Sequence, residues 1–348
     1  MPVTHKAALY KEKFGPFVVE EVQTYKPGPG EILIKIHATS LNPVDWKIHK
    51  TGVFGVWLEN YPAIVGTDIA GDVEEVGEGV SEFKRGDKVF CQGKLENDGS
   101  SFQQYTVALA ATAARIPHNL SYDEVAALPV VLSCSWVALY NKVPHGLGIT
   151  PPTTKKTQGL YAGTPILILG GATSVGQLAI QFAKLSGFSP IIATASLKHS
   201  DHLKSLGATH VLDRSLPTET LVEQSRQITD KPIKYVFDTV SAESTQKTGI
   251  AILATGGNMA VVLPPAVEVP EGKNIIVAIG LLRFPSNIEL LENLYHDTIT
   301  GILEQGLIKP NKIEVLPNGL EGIAEGMARM EADTISGLKL VAHPQETA

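Results

Sequence analysis

The spacing of apolar and polar positions changes rhythm along the chain. Through roughly the first 110 residues, short apolar runs are broken by glycine and polar clusters, the signature of many short strands. Ala7-Ala8-Leu9-Tyr10, Phe17-Val18-Val19-Glu20 and Glu31–Ala38 have strand character, with Pro27-Gly28-Pro29-Gly30 as a turn. Asp68–Val76 and Asp87–Cys91 add strands, punctuated by Gly77-Glu78-Gly79 and Arg85-Gly86. This region predicts a small barrel or rolled sheet. Over Ser121–Val143 the pattern turns helical, with Ser121 as N-cap, Glu124 completing a capping box and Pro129 splitting the segment. His145–Gly163, rich in Gly, Pro, Thr and Lys, reads as a surface loop. From Thr164 strands and helices alternate. Strands fall at Ile191–Ala195, Val211-Leu212, Tyr235–Thr239, Asn258–Leu263 and Ile275–Ile279, and helices at His199–Leu206, Thr218–Ile228 and Ser244–Leu253. Alternation of this kind predicts a parallel, doubly wound sheet in an α/β fold. Asn287–Glu304 and Gly319–Glu331 read as helices, and Leu338–Ala342 as a closing strand that returns to the first domain.

Residues 165–176 sharpen the picture. Pro-Ile-Leu-Ile-Leu-Gly-Gly-Ala-Thr-Ser-Val-Gly runs a buried strand into a glycine-rich turn, and Gln177–Lys184 continue as a helix. Strand, turn and helix in that order form the phosphate entrance of a dinucleotide fold. The backbone approaches a pyrophosphate closely there, and the helix-start N–H groups face its charge. Gly171 and Gly176 fit G-x-G-x-x-G, whereas Thr173 holds the middle glycine position, so an ordinary βα turn is the alternative. A length of 348 residues favours two domains. The net charge of −7 argues against a nonspecific binder of nucleic acid or acidic membranes. No apolar run is long enough to span a bilayer, and Met-Pro-Val-Thr-His-Lys does not open a signal peptide. Two cysteines, Cys91 and Cys134, exclude a disulfide scaffold and a four-cysteine zinc site, so a cytoplasmic location is expected.

Several motifs in order resemble the medium-chain dehydrogenase/reductases. They are Asn42-Pro43-Val44-Asp45-Trp46-Lys47, Tyr61–Gly71, Val76-Gly77, Phe83–Val89, Ala126-Ala127-Leu128-Pro129, the glycine turn, Leu316–Leu320 and Ser336–Val341. The Asn-Pro-Val-Asp-Trp-Lys run and the long loop at 145–163 resemble the fungal ToxD-like branch, which includes the trans-acting enoyl reductases of polyketide synthesis. The resemblance implies a GroES-like β-rich catalytic domain over 1–125, completed by 290–348. It also implies a doubly wound Rossmann domain over 126–289 that binds NADPH, with substrate in the cleft between them. Zinc-dependent relatives carry a catalytic Cys early and Gly-His-Glu later. Here Asn42–Asp45 and Gly66-Thr67-Asp68 stand in those places, and the structural cysteines are absent between Gly86 and Gln104. No metal is therefore expected. Without a Lewis acid, alcohol oxidation loses its usual means, while hydride addition to an activated C=C stays feasible.

The same resemblance implies cofactor contacts at Pro43, Ser133, Gly171, Ala172, Thr173, Ser174, Val175, Gly176, Val262, Leu263, Leu338 and Lys339. NAD-selective folds place an acid after the second strand to bind the ribose 2′-OH. Here Ser196, Lys198 and His199 follow that strand and Arg214 follows the next, which suits a 2′-phosphate and points to NADPH. Their plainer reading is a solvated helix start and a surface charge. In the resembling reductases the lysine at Lys47 lines the cleft, where it would stabilise an enolate oxygen; a solvated lysine on a helical turn is the alternative. Trp46 either walls the pocket or packs in the core, Tyr61 either donates a proton as a phenol or packs, and Asp68 reads as holding local structure. The function expected is reduction of an enoyl or enone substrate, free or carrier-bound, by a monomer or homodimer. The alternatives are a quinone or small-aldehyde reductase, or a non-catalytic NADPH-binding protein.

Overall fold

A computed structural model describes residues 2–51 and 60–348. They divide into two compact units, one of Met1–Val130, Glu292–Gln305 and Pro310–Ala348, the other of Val131–Leu291 and Gly306–Lys309. The first begins with the hairpin β1 (Thr4–Tyr10) and β2 (Phe17–Gln23), followed by β3 (Glu31–Ser40) and α1 (Pro43–Thr51). The short strand β4 (Ala63–Ile64) adds to the other edge of β1. Then β5 (Asp68–Val76), β6 (Lys88–Gln92), β7 (Tyr105–Leu109) and β8 (Ala113–Arg115) form an antiparallel sheet with β3, which pairs with both β5 and β7. Alternating apolar positions supply the core: Ile32, Ile34 and Ile36 of β3 pack with Ile69, Val73, Val89 and Cys91. A bend at Pro129 separates α2 (Tyr122–Ala126) from α3 (Pro129–Tyr140). The capping box forms as the sequence predicts: Ser121 Oγ accepts from the Glu124 N–H, and the Ser121 N–H donates to the Glu124 carboxylate.

The second unit is a parallel sheet of β9 (Ile166–Leu169), β10 (Ile191–Ala195), β11 (His210–Asp213), β12 (Tyr235–Asp238), β13 (Gly257–Val261) and β14 (Lys273–Val277). Its order is β11-β10-β9-β12-β13-β14, so the winding reverses between β9 and β12. The crossovers include α4 (Ser174–Ser186), α5 (Ser200–Leu206), α6 (Thr218–Ile228) and α7 (Glu243–Ile252). Every residue of β9 and β10 is buried, as strands covered on both faces require.

Two predicted helices differ in detail. Asn287–Glu304 is not continuous: α8 (Ile288–Glu292) and α9 (Ile299–Glu304) flank a π turn over Asn293–Thr298. The wider turn keeps the successive residues Leu294 and Tyr295 both buried, and the Tyr295 hydroxyl donates to the Pro129 carbonyl at 3.0 Å. After β15 (Lys312–Val315), the segment from Gly319 opens as a 3₁₀ turn before α10 (Ile323–Glu331). The closing strand β16 (Leu338–Ala342) lies parallel to β15 and antiparallel to β3, within the first unit.

Candidate functional site

In the second unit the glycine turn stands at the carboxyl end of β9, beside the reversal in strand order, the place where open α/β sheets bind ligands. Gly170 has φ +78°, and a Cβ there would stand 2.5 Å from Val240 Cγ2 and 2.8 Å from Thr239 Oγ1. A Cβ on Gly176 would meet the Gly170 carbonyl at 2.3 Å, so helix and turn touch with no room for a side chain. Thr173 is the N-cap of α4: its Oγ1 accepts from the Gly176 N–H at 2.9 Å and bonds the Thr239 hydroxyl at 2.8 Å. Ser174 and Val175 open the helix, so their N–H groups have no intrahelical acceptor. The Gly171 N–H is taken by the Thr194 carbonyl, and the Ala172 carbonyl by Gln177 Nε2. This cradle has the form that a pyrophosphate needs.

Ser196, Lys198 and His199 follow β10, and Arg214 follows β11. The Arg214 N–H bonds the Ala195 carbonyl at 3.0 Å, which brings the ends of the two strands side by side. Lys198 and Arg214 are exposed, Ser196 and His199 half-buried. Residues 196–200 contain no carboxylate, and the acid at β11, Asp213, is occupied with the Ser215 N–H and hydroxyl, which hold its pKa below the usual carboxylate range. Val262 and Leu263 follow β13. The Val262 N–H is donated to Ser241 Oγ at 2.8 Å and so is committed within the unit. Ser133 is buried on α3, where Gly280 packs so closely that a Cβ would meet the Cys134 backbone at 2.8 Å.

Sequence reasoning did not single out Thr239 or Asp238. Asp238 is buried and accepts from the N–H groups of Val240 and Ser241 and the Thr245 hydroxyl. Burial outweighs those three bonds and raises its pKa. These bonds hold Ser241 at φ +59° and fix the turn that presents Thr239 to the glycine cradle. Polar residues at the carboxyl end of a parallel strand were the available signal.

The first unit holds the other chemistry. Pro43 is the exposed first residue of α1, and Leu338 packs partly buried on the apolar cluster of this unit. Lys47 is half-buried on α1, its Nζ 5.6 Å from the centroid of the Trp46 ring. Trp46 in turn packs, with Val44 and Tyr61, on the cluster containing Ile48 and Met327. Burial lowers the Lys47 pKa, and among the described residues no carboxylate pairs with it. Beneath α1 lies a buried polar network. Lys339 Nζ donates to Asp68 Oδ2 at 2.7 Å and to Asn42 Oδ1 at 2.8 Å. Asn42 Nδ2 and Ser40 Oγ also donate to Asp68 Oδ2, and the Val130 N–H donates to Asp68 Oδ1. The ammonium of Lys339 is thus committed to this network rather than offered to a phosphate. The network brings Asn42 and Asp68 together with a lysine cation between them, a donor set that does not fit zinc. Among the described residues no three His, Cys, Asp or Glu side chains gather to hold a metal.

Family comparison divides the chain in the same sense. Residues 28–118 match the alcohol dehydrogenase GroES-like domain, and residues 174–275 match the zinc-binding dehydrogenase family. The chain is 32% identical to Dehydrogenase azaJ of Aspergillus niger, over 97% of this chain and 98% of that one. It is 33% identical to Trans-enoyl reductase himH of Aspergillus japonicus, over 89% of each. Among solved structures, a putative zinc-dependent alcohol dehydrogenase from Rhizobium etli shares the fold, with TM-score 0.81, 24% identity and 98% coverage of both chains.

Proposed function

Because the chain belongs to the medium-chain dehydrogenase/reductase family, we propose that it is a zinc-independent, NADPH-dependent reductase of activated C=C bonds in enoyl or enone substrates. The observation that carries this reading is Lys47: a half-buried cation, held against an indole, with no carboxylate partner among the described residues. The glycine cradle fits a dinucleotide. Residues 171–176 would hold its pyrophosphate, Ser196, Lys198, His199 and Arg214 its 2′-phosphate, and Pro43, Ser133, Val262, Leu263 and Leu338 its nicotinamide half. Lys339 contributes backbone only. A nicotinamide bound there would supply hydride for the β-carbon of the substrate.

Lys47 then acts on the substrate oxygen. Negative charge grows on the carbonyl oxygen as the β-carbon accepts hydride, and an ammonium within hydrogen-bond reach stabilises that charge more than it stabilises the neutral ground state. Its partial desolvation strengthens the attraction. A proton delivered to the α-carbon completes the reduction. The test is steady-state NADPH oxidation with an enone, an enoyl thioester, a quinone and an aldehyde. Lys47→Met should lower turnover of the enone or thioester by on the order of a hundredfold, with the NADPH dissociation constant nearly unchanged. Full turnover by Lys47→Met would remove the electrostatic role, and turnover confined to the quinone or aldehyde would remove the substrate assignment.

A further inference from the structure

The buried network under α1 has more bonds than a helix start needs. Ser40, Asn42, Asp68 and Lys339 are all almost wholly buried, between 0% and 3% exposed. Asp68 accepts four hydrogen bonds, three at Oδ2 from Ser40, Asn42 and Lys339 and one at Oδ1 from the Val130 N–H. A buried ion pair of this kind is weak evidence for stability, because removing both charges from water offsets most of their attraction. Its geometry points to another role.

Asn42 stands immediately before α1, where an Asn side chain ordinarily caps the helix. Here it does not. Asp45 and Asn42 are tied through main chain and carboxylate instead: the Asp45 N–H bonds the Asn42 carbonyl, and Asp45 Oδ2 accepts the Asn42 N–H at 2.7 Å. The Asn42 amide is thereby free for tertiary contact. It spends its oxygen on Lys339 and its NH₂ on Asp68, so both ends of the amide are fixed by opposite charges. α1 has only nine residues and cannot hold itself in place. Among the described residues its other attachments include apolar packing by Val44, Trp46 and Ile48 and an exposed ion pair from Lys50 to Glu331, and neither sets a direction as sharply as a clamped amide. Lys47 sits little more than one turn beyond Asn42.

We infer that Asn42, clamped between Asp68 and Lys339, is the positioning residue that sets where α1 holds Lys47. The inference rests on the proposed role of Lys47. Polar side chains can be aimed only as well as their helix is anchored, and a misplacement of about 1 Å at a reacting group costs on the order of a hundredfold in rate.

The test is Asn42→Ser. Serine caps a helix as well as asparagine and leaves the Asp68–Lys339 pair standing, but is too short to bridge it; Asn42→Thr, closer in volume, serves if the serine variant does not fold. Turnover of the enoyl or enone substrate should fall about tenfold to a hundredfold, with the NADPH dissociation constant unchanged. On a Lys47→Met background the same substitution should cost little further turnover, because the path through Lys47 is already cut. A merely structural loss would multiply in both backgrounds and overturn the inference. A second readout is independent of catalysis. After reductive carbon-13 methylation, the Lys47 resonance, assigned with Lys47→Arg, should change shift and titration midpoint in Asn42→Ser. An unchanged Lys47 resonance overturns the inference even if the native protein reduces no alkene, so the two proposals fail separately.

Discussion

Asp45 is fully buried, and only one of its carboxylate oxygens has a donor among the described residues: Oδ1 has none. Burial pushes its pKa up to about 7; the Asn42 N–H and Lys339 pull the other way, and Asp68 adds to the rise. An unfolded aspartate titrates near 3.9. Between those values the native state keeps a proton that the unfolded chain has released, so stability falls as pH rises through the window and levels off above about 7. Asp45→Asn should remove this slope. Urea unfolding of both proteins at about pH 4.5 and about pH 8 should show the native protein losing more stability, by on the order of 1 kcal/mol per pH unit crossed. Parallel losses would mean that Asp45 is ionised in the fold. Lys198 carries a second prediction at this scale. Lys198→Ala should weaken NADPH by about 1.5–3 kcal/mol and leave NADH nearly unchanged, as calorimetric titration would report. Equal native affinity for the two cofactors would contradict the 2′-phosphate assignment.

The turn between β9 and α4 joins local chemistry to the ligand site. Gly176 lies against the Gly170 carbonyl, so Gly176→Ala must push the helix start away from the turn. Cofactor binding should be lost before the fold is, with NADPH affinity falling at least tenfold while the circular dichroism spectrum persists. Thr173→Ala removes the cap and should cost about 1 kcal/mol of stability. This element was legible in the sequence because a parallel strand buried on both faces is a continuous apolar run, ended by glycines that the turn requires. α6 was legible to the residue, since Thr218–Ile228 carries its own helical period. Other elements were not. β4 has two residues and β15 reads Lys-Ile-Glu-Val, too little for a period of two to declare itself. α1 was visible only as a helical turn, its anchoring being tertiary. Asp68 could be read as structural at the start of β5, but its partner Lys339 lies 271 positions away, and no local pattern announces a contact of that range.

At the scale of the whole chain, the first unit is interrupted: the chain leaves it after Val130 and returns at Glu292. Its sheet is completed by β16 against β3, so native pairing there waits for the most distant segment, which favours slow folding. The residues after β16 fasten the return. Gln345 Nε2 donates to the carbonyls of Ile36 and Gln104, and Gln104 Nε2 donates back to the Pro344 carbonyl. His343 ties the same segment to α2, with Nε2 2.8 Å from Asp123 Oδ1 and Nδ1 2.9 Å from Glu346 Oε1. Partial burial lowers the His343 pKa, but the two carboxylates outweigh it and raise it above the ordinary histidine value. A raised histidine pKa stabilises the fold fully below the unfolded value near 6.5, and that stabilisation is lost as pH rises through the native value. Partial solvent exposure limits the effect to under about 1 kcal/mol. His343→Gln keeps a hydrogen-bonding side chain and removes the titration. Melting temperatures measured from about pH 6 to about pH 9 should fall more steeply for the native protein than for the variant. Superimposable profiles would show that His343 is neutral across the range and that the amide bonds of Gln345 and Gln104 alone fasten the returning chain.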